Sequence, residues 1–599
     1  MKIDKNIAKF LVLGSVAFTI LTGCNDSFMD KYPETSISEE MFFKTPKDLE
    51  LYTNGLYGII GSSYWDLGTD NLIYLDNVDI YTVMRGERTP DNVGEWSWSN
   101  IRKVNFMLAR VNQAEGDQIE INHYVGLARM FRAKLYYDKV LSYSDVPWYS
   151  RDLQTTDTEL LYKTQDSRSL VVDSIMADLD FAANNMKEDM GSRTIWSRYG
   201  ALAMQARIAL SEGSWRRYHP ELELNDADRF FRVAIDACKK IMDSGEYSLS
   251  TTPSGEIPAY EAMFCNEDLS TNNEMIFYED YDKALGRMHN AQAALDWQSS
   301  LSRDLMEDYL VLEDGETKTF QEVPQHETMT LLEVFKNRDP RMSQTFMVPG
   351  FTRSKNTEPH RQKISNGGYP QVKFEPRTYD QLEWGKSYTD LPVIRYAEVL
   401  LMYAEAKAEL GELTQEDIDL TINLIRRRAG VPNATLSSWL SKIDPVQANR
   451  YPNVTSSQKG AILEIRRERR IELACEGFRY KDLMRWKCGK LLEKAPEGMY
   501  IDKLGYIDVT GDGQPDYALV KTQADADAIP EEDKLKYKLT VEILDGNTYE
   551  LTEGDKGYVR LISQVGKWTF VEPKYYYSPM ATGDIILNPN LIQNKYWQK

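Results

Sequence analysis

Apolar residues recur every three or four positions along much of this chain, and this spacing constrains the fold more than any other feature. Residues 394–410 show it most clearly: alanine and leucine residues face inward, and Glu398, Glu405 and Glu409 are expected to face outward. Gly411 follows as the expected C-cap. The same helical spacing occurs at Val172, Ile175, Met176, Leu179 and Ala183; at Leu202, Ala206, Ala209 and Leu210; and at Phe231, Ala234, Ile235, Cys238, Ile241 and Met242.

These segments are rich in alanine and tyrosine and are often paired across short turns, which predicts an all-α dominated fold. They resemble degenerate tetratricopeptide repeats, although a strict period of about 34 residues is not visible. Two stretches, residues 60–100 and 250–390, have weak periodicity and are rich in Gly, Asn, Asp and aromatic residues. We expect them to form long irregular ligand-binding excursions from the helical scaffold.

Local signals predict one helix start and one small β insertion. Thr45 is a good N-cap, Pro46 suits the first helical position, and Asp48 places an acid in the first turn. Near residues 500–570 the pattern changes. Residues 539–544 and 548–551 flank the dipeptide Asp545-Gly546, which predicts a β-hairpin with a tight turn.

The N-terminus has the features of a bacterial lipoprotein signal. Three lysines within the first nine residues are followed by a short apolar run, residues 10–20. A membrane-spanning helix needs roughly 20 apolar residues, so this run fits a signal peptide instead. Gly23 precedes Cys24, which predicts a signal peptide over residues 1–23 and a lipid on Cys24; the alternative is an ordinary secretory signal with an incidental cysteine. Residues 25–40 would then form a polar tether.

The charge of the chain excludes some partners. The 71 basic and 92 acidic residues give a net charge of −21, and removal of residues 1–23, with three lysines and one aspartate, leaves about −23. An acidic surface of this size argues against nucleic acid or an anionic lipid surface as partner. It fits neutral ligands such as sugars or peptides. With 36 Tyr and 12 Trp, the chain is also rich in the aromatic side chains that such ligands use.

Cysteine usage gives little functional information. Apart from Cys24 the chain has Cys238, Cys265, Cys475 and Cys488, and no two of them have CxxC spacing. Buried free thiols are the simplest interpretation, and a bridge between Cys475 and Cys488 is the alternative.

One loop has the spacing of a calcium site. From residue 508 onward, oxygen-bearing side chains fall at loop positions 1, 3, 5 and 9 with glycine at position 6, as in an EF-hand loop. Leu519 stands at position 12, where that loop needs glutamate, and the flanks look like strands. A solvated Asp/Gly turn is therefore the alternative to a structural calcium site. No other cofactor is expected. The metal candidates are Asp508, Thr510, Asp512 and Asp516.

Catalysis finds little support in the sequence. Glu468 and Glu472 share a helix face and could suggest acid–base chemistry, but Arg469 and Arg470 lie between them. Alternating charges of this kind favour an ion network on a helix. The five histidines are scattered, and the HExxH, GxSxG, P-loop and GxGxxG motifs are all missing from the sequence. The protein is therefore expected not to be an enzyme.

Five blocks, in order along the chain, together resemble the SusD/RagB family of outer-membrane nutrient-binding lipoproteins. A more apolar proline motif would be expected near the end, where this chain has Tyr577-Ser578-Pro579-Met580. The blocks are FMDKYP at 28–33 with FF at 42–43 and NGLY at 54–57; ARMFRAKLYY at 128–137 with SDVPW at 144–148; RYAEVLLMYAEA at 395–406; IRRERRIEL at 465–473 with EGFR at 476–479 and DLMRW at 482–486; and NP at 588–589 with QN at 593–594.

The resemblance implies one structural domain with tetratricopeptide-like helices, divided into an N-terminal half over residues 24–250 and a C-terminal half over residues 251–599. It implies a protein anchored by lipid at the cell outer membrane and exposed at the surface. There it would be a lid over a SusC-like TonB-dependent β-barrel transporter, capturing glycans or, in some members, peptides. In this family the protein binds and does not catalyse.

Ligand contacts are expected where aromatic and polar residues mix. A sugar has an apolar C–H face and a hydroxyl rim, so its site needs an aromatic platform with polar groups at the edge. Residues 64–66, 96–100 and 278–297 have this mixture, although core packing is the common role of aromatic residues. By the family resemblance, the candidate ligand-binding residues are Trp65, Asp70, Arg85, Trp96, Asn100, Tyr281 and Trp297.

The leading hypothesis is a glycan-capture lipoprotein that delivers oligosaccharides to its transporter. A peptide-binding member of the same family is the nearest alternative. A lipid-anchored glycosidase and a purely structural scaffold with a protein partner are more distant ones.

Overall fold

The structure is a computed structural model that describes residues 42–94, 96–295, 297–354, 356–544, 546–566 and 568–598. The predictions for the signal peptide, the lipidated Cys24, the tether and the first block of the family resemblance lie outside these residues, apart from Phe42-Phe43 and residues 54–57. Within the described ranges, helices make up most of the regular structure and sheets are small, which confirms an all-α dominated fold.

The first part of the chain is mainly helical. Helix α4 is the longest of its helices. The helices are α1 (Pro46–Asn54), α2 (Asp79–Met84), α3 (Ser99–Arg110), α4 (Gln118–Tyr143), α5 (Thr158–Leu161), α6 (Arg168–Asn185), α7 (Arg198–Tyr218), α8 (Ala227–Ser244) and α9 (Ala259–Cys265).

The second part mixes helices with irregular segments. Its helices are α10 (Arg303–Asp308), α11 (Tyr396–Glu409), α12 (Gln415–Leu420), α13 (Ile422–Ala429), α14 (Leu436–Ser441), α15 (Pro445–Arg450), α16 (Lys459–Glu472), α17 (Arg479–Arg485), α18 (Gln523–Asp527), α19 (Glu531–Tyr537) and α20 (Thr582–Leu587).

The predicted start of α1 is confirmed. The Thr45 side chain accepts a hydrogen bond from the Asp48 backbone N–H, and the Asp48 carboxylate accepts one from the Thr45 N–H. This capping box satisfies backbone donors that the first helical turn leaves without partners. Pro46 occupies the first helical position, where its missing N–H costs nothing.

The long helices pack against their neighbours in chain order. Helix α4 contacts α6, α6 contacts α7, α7 contacts α8, and α8 contacts α11. Small residues make the closest contact possible: a Cβ added to Gly213 of α7 would come within 2.8 Å of the Phe231 ring of α8. Sequential packing of this kind is what stacked helical repeats produce. The tetratricopeptide character of the array stays a prediction.

Short strands form small sheets beside the helices. Strand β1 pairs with β3, β2 with β6, β4 with β5, β9 with both β8 and β10, and β12 with both β11 and β7. The strands are β1 (Leu72–Tyr74), β2 (Met275–Glu279), β3 (Ser299–Leu301), β4 (Val311–Glu313), β5 (Glu316–Lys318), β6 (Leu391–Arg395), β7 (Tyr500–Ile501), β8 (Gly505–Ile507), β9 (Tyr517–Val520), β10 (Thr540–Ile543), β11 (Tyr549–Leu551) and β12 (Gly557–Leu561).

The β insertion exists, but its predicted hairpin is wrong. Strands β10 and β11 were expected to pair with each other across Asp545-Gly546. Instead β10 runs parallel to β9, with Thr540 opposite Tyr517, and β11 pairs antiparallel with β12, with Tyr549 opposite Leu561. The two halves of the expected hairpin therefore belong to different sheets. A turn dipeptide between apolar runs predicts a turn, but it does not determine which strand the following residues pair with.

Helix α11 corrects a second prediction. The helix forms as expected, but it begins at Tyr396, because residues 391–395 form β6. Glu398, Glu405 and Glu409 are buried rather than outward-facing. Arg207 of α7 binds Glu398, Arg485 of α17 binds Glu405, and Tyr218 and Arg466 bind Glu409. An apolar stripe alone could not reveal these partners on other helices.

Helix α16 carries an ion network, as predicted, and the network is buried. Glu468 accepts from Arg426 and pairs with Arg341, while Glu472 pairs with Arg341, Arg395 and Arg428. Burial alone would raise the pKa of Glu472, but the surrounding guanidinium groups outweigh it and hold the pKa well below the usual range. Burial alone would likewise raise the pKa of Glu468, but Arg341 and Arg426 outweigh it and lower the pKa, so both carboxylates are ionised and paired.

The expectations for the cysteines can be compared with the described residues. Cys238, Cys265, Cys475 and Cys488 are free thiols, so the alternative of a bridge between the last two is wrong. None of the helices that the structure describes has the length and apolarity needed to cross a membrane.

The buried network predicts that breaking an interior ion pair lowers the stability of the protein far more than breaking a surface ion pair. Replacing Arg485 by Met leaves Glu405 and Asp482 in the interior without one of their cationic partners. We expect the free energy of unfolding, measured by urea denaturation, to fall by about 3–5 kcal/mol. The matched control is Arg232→Met, which removes an exposed pair with Glu412 and should leave the urea midpoint almost unchanged. Equal shifts in the two variants would show that burial does not set the strength of these pairs.

Candidate functional site

The two irregular excursions meet through a short strand pair. Strand β1, from the first excursion, pairs with β3, from the second, so that Tyr74 lies opposite Ser299. The Leu75 N–H donates to the Gln298 carbonyl oxygen at 2.9 Å, next to Trp297. The pairing therefore brings the loop of Trp65 and the segment of Trp297 to the same part of the molecule.

An inner group of aromatic side chains lies beside this strand pair. The Tyr64 ring is 5.3 Å from Trp65 and 6.1 Å from His289, and Trp65 is 6.2 Å from Tyr74. Tyr281 packs edge-on against His289 at 4.5 Å. Trp65 turns its Nε1 into the interior, and only part of its ring remains exposed. Two of the predicted ligand residues, Trp65 and Tyr281, are thus joined through Tyr64 and His289, which lie in the mixed segments 64–66 and 278–297 but were not among the candidate ligand residues.

An outer pair of tryptophans lies next to this group. The rings of Trp297 and Trp384 are 5.6 Å apart and inclined by 49°, and their side chains are 50% and 64% exposed. The backbones of His289 and Ser387 pair with each other, and the Gly385 N–H donates to Asn290 Oδ1. These contacts tie the segment of Trp384 to the inner group. We call Tyr64, Trp65, Tyr281, His289, Trp297 and Trp384 together the aromatic surface.

His289 is a fixed, neutral part of this surface. Its Nδ1 accepts from the Ala291 N–H at 3.1 Å, so its Nε2 carries the proton and donates to the Thr389 carbonyl oxygen at 2.8 Å. Burial lowers the pKa of His289. The ring therefore has both nitrogens occupied and serves to position its aromatic neighbours.

Asp390 holds the backbone beneath Tyr281. Its carboxylate accepts from the Tyr281 N–H at 3.0 Å and from the Leu269 N–H at 2.9 Å. Burial raises the pKa of Asp390 to about 6, because the backbone donors only partly compensate for lost hydration. The residue is a support for the aromatic surface rather than a part of it.

Asp70, a predicted ligand contact, lies in the interior. Arg479 donates to both of its carboxylate oxygens at 2.7 Å, Arg470 lies 3.1 Å away, and the residue is only 8% exposed. Burial alone would raise the pKa of Asp70, but the two guanidinium groups outweigh it and lower the pKa. These contacts engage both carboxylate oxygens and fasten the loop ahead of β1.

Trp96 lies elsewhere, at a groove that we call the Trp96 groove. It has a volume of about 390 Å³ and is lined by Trp96, Trp98 and Tyr149, with Asp584 of α20 on its edge. The Trp96 N–H donates to Asp584 Oδ2 at 3.1 Å. Asn100 is exposed near the start of α3. The structure thus does not bring the predicted ligand residues together: Trp65, Tyr281 and Trp297 belong to the aromatic surface, whereas Trp96 lines the groove.

Arg85 belongs neither to the aromatic surface nor to the Trp96 groove. It follows α2, and its guanidinium group donates to Glu87 at 2.7 and 2.9 Å and to Asn77 at 3.1 Å. The pair with Glu87 is exposed and contributes little to stability. Within the described ranges, these contacts of Arg85 do not reach the aromatic surface.

The predicted calcium residues lie in the loop between β8 and β9, as the strand-like flanks suggested. Asp508 accepts from the N–H groups of Gly511 and Gly513, and Asp516 accepts from Val509 and Thr510 and pairs with Arg361 at 3.0 Å. Asp512 accepts from the Gln514 N–H. Among the residues described, no group of three His, Cys, Asp or Glu side chains is arranged to hold a metal. The oxygens fit an Asp/Gly turn better than a calcium cage, and calcium stays a prediction.

Trp384 is the principal residue that the sequence pattern did not reveal. It lies in the second excursion, within a segment that also carries the exposed Tyr379 and the partly exposed Tyr388. Three aromatic residues among polar ones in residues 379–388 were the available signal. The local sequence pattern could not show that this segment pairs with His289, which lies almost 100 positions earlier in the chain.

The structure has the form of a helical scaffold whose excursions present an exposed aromatic surface. A sequence model of the SusD family matches residues 271–597. The chain therefore belongs to the SusD family, and the resemblance to SusD/RagB proteins is confirmed.

Relatives of known sequence agree over most of the chain. SusD-like protein P38 of Formosa agariphila is 25% identical over 529 residues, which cover 81% of this chain and 92% of that protein. SusD-like protein P2 of the same organism is 23% identical over 521 residues, 80% of this chain and 91% of that protein.

Solved structures share the fold. A SusD-like carbohydrate-binding protein of Bacteroides fragilis superposes with a TM-score of 0.64 at 21% identity, covering 92% of this chain and 100% of its own. A laminarin-binding SusD-like protein superposes with a TM-score of 0.51 at 17% identity, covering 92% and 99%. At these identities the likeness concerns the fold alone.

The raised pKa of Asp390 predicts how stability depends on pH. Because the pKa in the folded state is about 6 and the ordinary value is 3.8, folding favours the protonated carboxyl. The contribution of the Asp390 carboxyl to the free energy of unfolding is present below about pH 4 and is lost as the pH rises through 6. In Asp390→Asn, which cannot ionise, stability relative to the unmodified protein should therefore improve between pH 4 and pH 7, as measured by urea midpoints.

The neighbouring Asp268 provides the control for this pH dependence. A side-chain hydrogen bond from Ser270 lowers the pKa of Asp268, so Asp268→Asn should show no such relative gain as the pH rises. A stability difference between Asp390→Asn and the unmodified protein that is independent of pH would show that Asp390 does not titrate in this range.

Proposed function

We propose that this protein binds glycans on its aromatic surface at the outside of the cell and delivers them to a SusC-like TonB-dependent β-barrel transporter. The observation that carries the proposal is the pair Trp297 and Trp384, two large aromatic side chains that are half or more exposed and lie 5.6 Å apart. Exposed large apolar groups that lie together mark binding sites.

The chemistry of the surface favours a carbohydrate. The inclined indole faces offer stacking planes for the apolar C–H faces of successive sugar rings. Charged and amide groups lie close to the same segments: Asn290 beside Gly385, Lys283 paired with Asp380, and Arg287 about 3.5 Å from Asp280. Such a polar rim can bind hydroxyl groups by hydrogen bonds.

The acidic net charge of −21 supports a neutral ligand for this exposed site. It disfavours nucleic acid and other polyanions through long-range repulsion. Two proteins of similar fold support the proposal: one is a SusD-like carbohydrate-binding protein and the other is a laminarin-binding SusD-like protein. Neither likeness identifies the glycan that this chain binds.

A binding role is proposed in preference to catalysis. Glu468 and Glu472, the carboxylates with the best spacing for acid–base work, are buried in ion pairs. A glycosidase needs two carboxyl groups facing the scissile bond from opposite sides. A reducing-sugar release assay on the bound glycans tests for an unrecognised pair.

The proposed location follows from the N-terminal sequence and the family. A lipid on Cys24 and the tether over residues 25–40 would hold the folded part near the outer membrane, outward of the transporter. One acyl chain anchors only marginally, so several acyl chains and contact with the barrel together would retain the protein.

The aromatic surface yields a direct prediction. Trp297→Ala and Trp384→Ala should each weaken glycan binding by at least about tenfold, or about 1.4 kcal/mol, because each removes one stacking plane. Isothermal titration against a panel of neutral oligosaccharides, including laminarin oligosaccharides, and of oligopeptides would measure this. Binding of peptides alone would replace the proposal by the peptide-binding alternative.

Two controls locate the site. Tyr162→Ala removes an aromatic ring that is 49% exposed but lies away from the aromatic surface, and it should leave affinity unchanged. Trp96→Ala tests the Trp96 groove. If Trp96→Ala abolishes glycan binding while Trp297→Ala has no effect, the ligand occupies the groove, and the aromatic surface is the wrong site.

The lipid anchor has its own test. Cys24→Ala should release the protein from the membrane fraction into the soluble fraction, because it removes the only proposed acyl acceptor. Protease treatment of intact cells reports the orientation: digestion of the unmodified protein supports surface exposure. Full protection in intact cells, with digestion after lysis, would place the protein on the inner side of the membrane.

A further inference from the structure

A second cavity lies inside the scaffold. It has a volume of about 160 Å³ and lies between helices α4, α7, α11 and α17. The segment Gly61-Ser62-Ser63 lines one side, immediately before Tyr64 of the aromatic surface. About 10–15 Å³ suffices for one water, so this space can hold a molecule of several heavy atoms.

The lining is unusually basic for so acidic a chain. It contains six basic and four acidic side chains among the residues described. Five of the basic groups have carboxylate partners: Lys134 pairs with Asp138, Arg207 with Glu398, Arg395 with Glu476, Arg469 with Asp482, and Arg485 with Glu405 and Asp482.

Lys481 is the exception. Within the described part of the chain it makes no hydrogen bond or ion pair, and its side chain is solvent-accessible, which places it where the cavity opens. The protein around its ammonium group displaces part of its hydration, and this desolvation together with the charges of Lys134 and Arg207 lowers the pKa of Lys481, against the opposing effect of Asp138 and Glu398. The cavity therefore has one cationic group that the fold does not neutralise.

We propose that this cavity binds a small organic anion through a single carboxylate, with Lys481 as its counter-ion. A lysine ammonium is a compact point charge on a flexible stem, which suits a monoanion. The guanidinium groups nearby are already committed to carboxylates, so a dianion such as phosphate would lack the forked donors that it prefers.

The cavity also provides contacts for the rest of such a ligand. Hydroxyl groups of Ser62 and Ser211 and apolar side chains of Leu141 and Met204 line it together with the ions. A pyranose ring carrying a carboxylate presents hydroxyl groups and an apolar face, and both kinds of partner are present. The carboxylate could come from a uronic acid or from a small free acid, and the probes below distinguish these sources.

The test is titration of the purified protein with glucuronate at low ionic strength, followed by isothermal calorimetry or nuclear magnetic resonance. Glucose is the control for the ring without the carboxylate, and acetate is the control for the carboxylate without the ring. We expect glucuronate to bind and glucose to bind at least tenfold more weakly. Acetate binding as tightly as glucuronate would identify a site for free small acids, and glucose binding as tightly would overturn the proposal.

Variants locate the binding. Lys481→Met keeps the apolar stem and removes the charge, and it should weaken glucuronate binding at least tenfold while leaving neutral-glycan binding unchanged. Lys240→Met removes an exposed lysine of α8 outside the cavity lining and should have no effect. Because Lys481 is solvent-accessible, its replacement should not prevent folding.

A further variant separates this proposal from the proposed function. Trp297→Ala should leave glucuronate binding intact, because Trp297 does not line the cavity. If Trp297→Ala abolishes glucuronate binding and Lys481→Met does not, the anion occupies the aromatic surface and the cavity proposal is overturned. A failure of neutral-glycan binding in every assay would overturn the proposed function without affecting the cavity.

Chemical labelling gives an independent measurement. With a limiting amount of an amine-acylating reagent, Lys481 should react faster than Lys240, because its lowered pKa leaves more of the amine unprotonated. Glucuronate, but not glucose, should protect Lys481 in the peptide mass spectrum. Equal labelling with and without glucuronate would contradict the proposal.

Discussion

The buried ion pairs of helix α16 hold the structure together. Arg466 pairs with Glu409 of α11 at 3.3 Å, whereas Arg470 donates to Asp308 of α10 at 2.6 Å and to Asn71 ahead of β1 at 2.7 Å. Helix α16 thus binds helix α11 of the scaffold through Arg466 and the two irregular excursions through Arg470. Charges taken from water are costly, and they stabilise a fold only when the partners satisfy them. The network therefore tolerates little displacement of the helical scaffold relative to the excursions.

The aromatic surface depends on this network. Asp70 is bound by Arg479 and Arg470, and Asp66 accepts from the backbone N–H groups of Cys475 and Gly477 at 2.8 and 3.0 Å. These contacts fasten both ends of the loop that follows Tyr64 and Trp65. A loop held in this way loses little conformational freedom when a ligand binds, which improves affinity without any new contact. The sequence interpretation of Asp70 as a ligand contact stays a prediction; in the structure this residue fastens the loop beside the aromatic surface.

Hydrophobic periodicity predicted the helices well and their charged faces poorly. The core of α11 was correct, because alanine and leucine at helical spacing are buried whatever their partners are. Its glutamates were placed outside, because burial of a carboxylate depends on an arginine that lies on another helix, such as Arg207 or Arg485. The pairing of β10 with β9, and of the His289 segment with Ser387, likewise depends on contacts between distant positions. The capping box at Thr45 was predictable, since all its atoms lie within four residues.

The exposure of the tryptophan pair also fits a protein that must release its ligand. Stacking on a half-exposed ring leaves one side of the sugar in water, so each contact contributes modestly, and the rigid support below limits the entropic cost. Since affinities among related complexes differ mainly in their dissociation rates, a shallow platform favours fast release. A deep enclosed pocket would bind more tightly but would have to open before a transporter could accept the glycan. On the proposed function, the tryptophan pair is exposed while its support is rigid, so the same surface can bind a glycan and release it to the transporter.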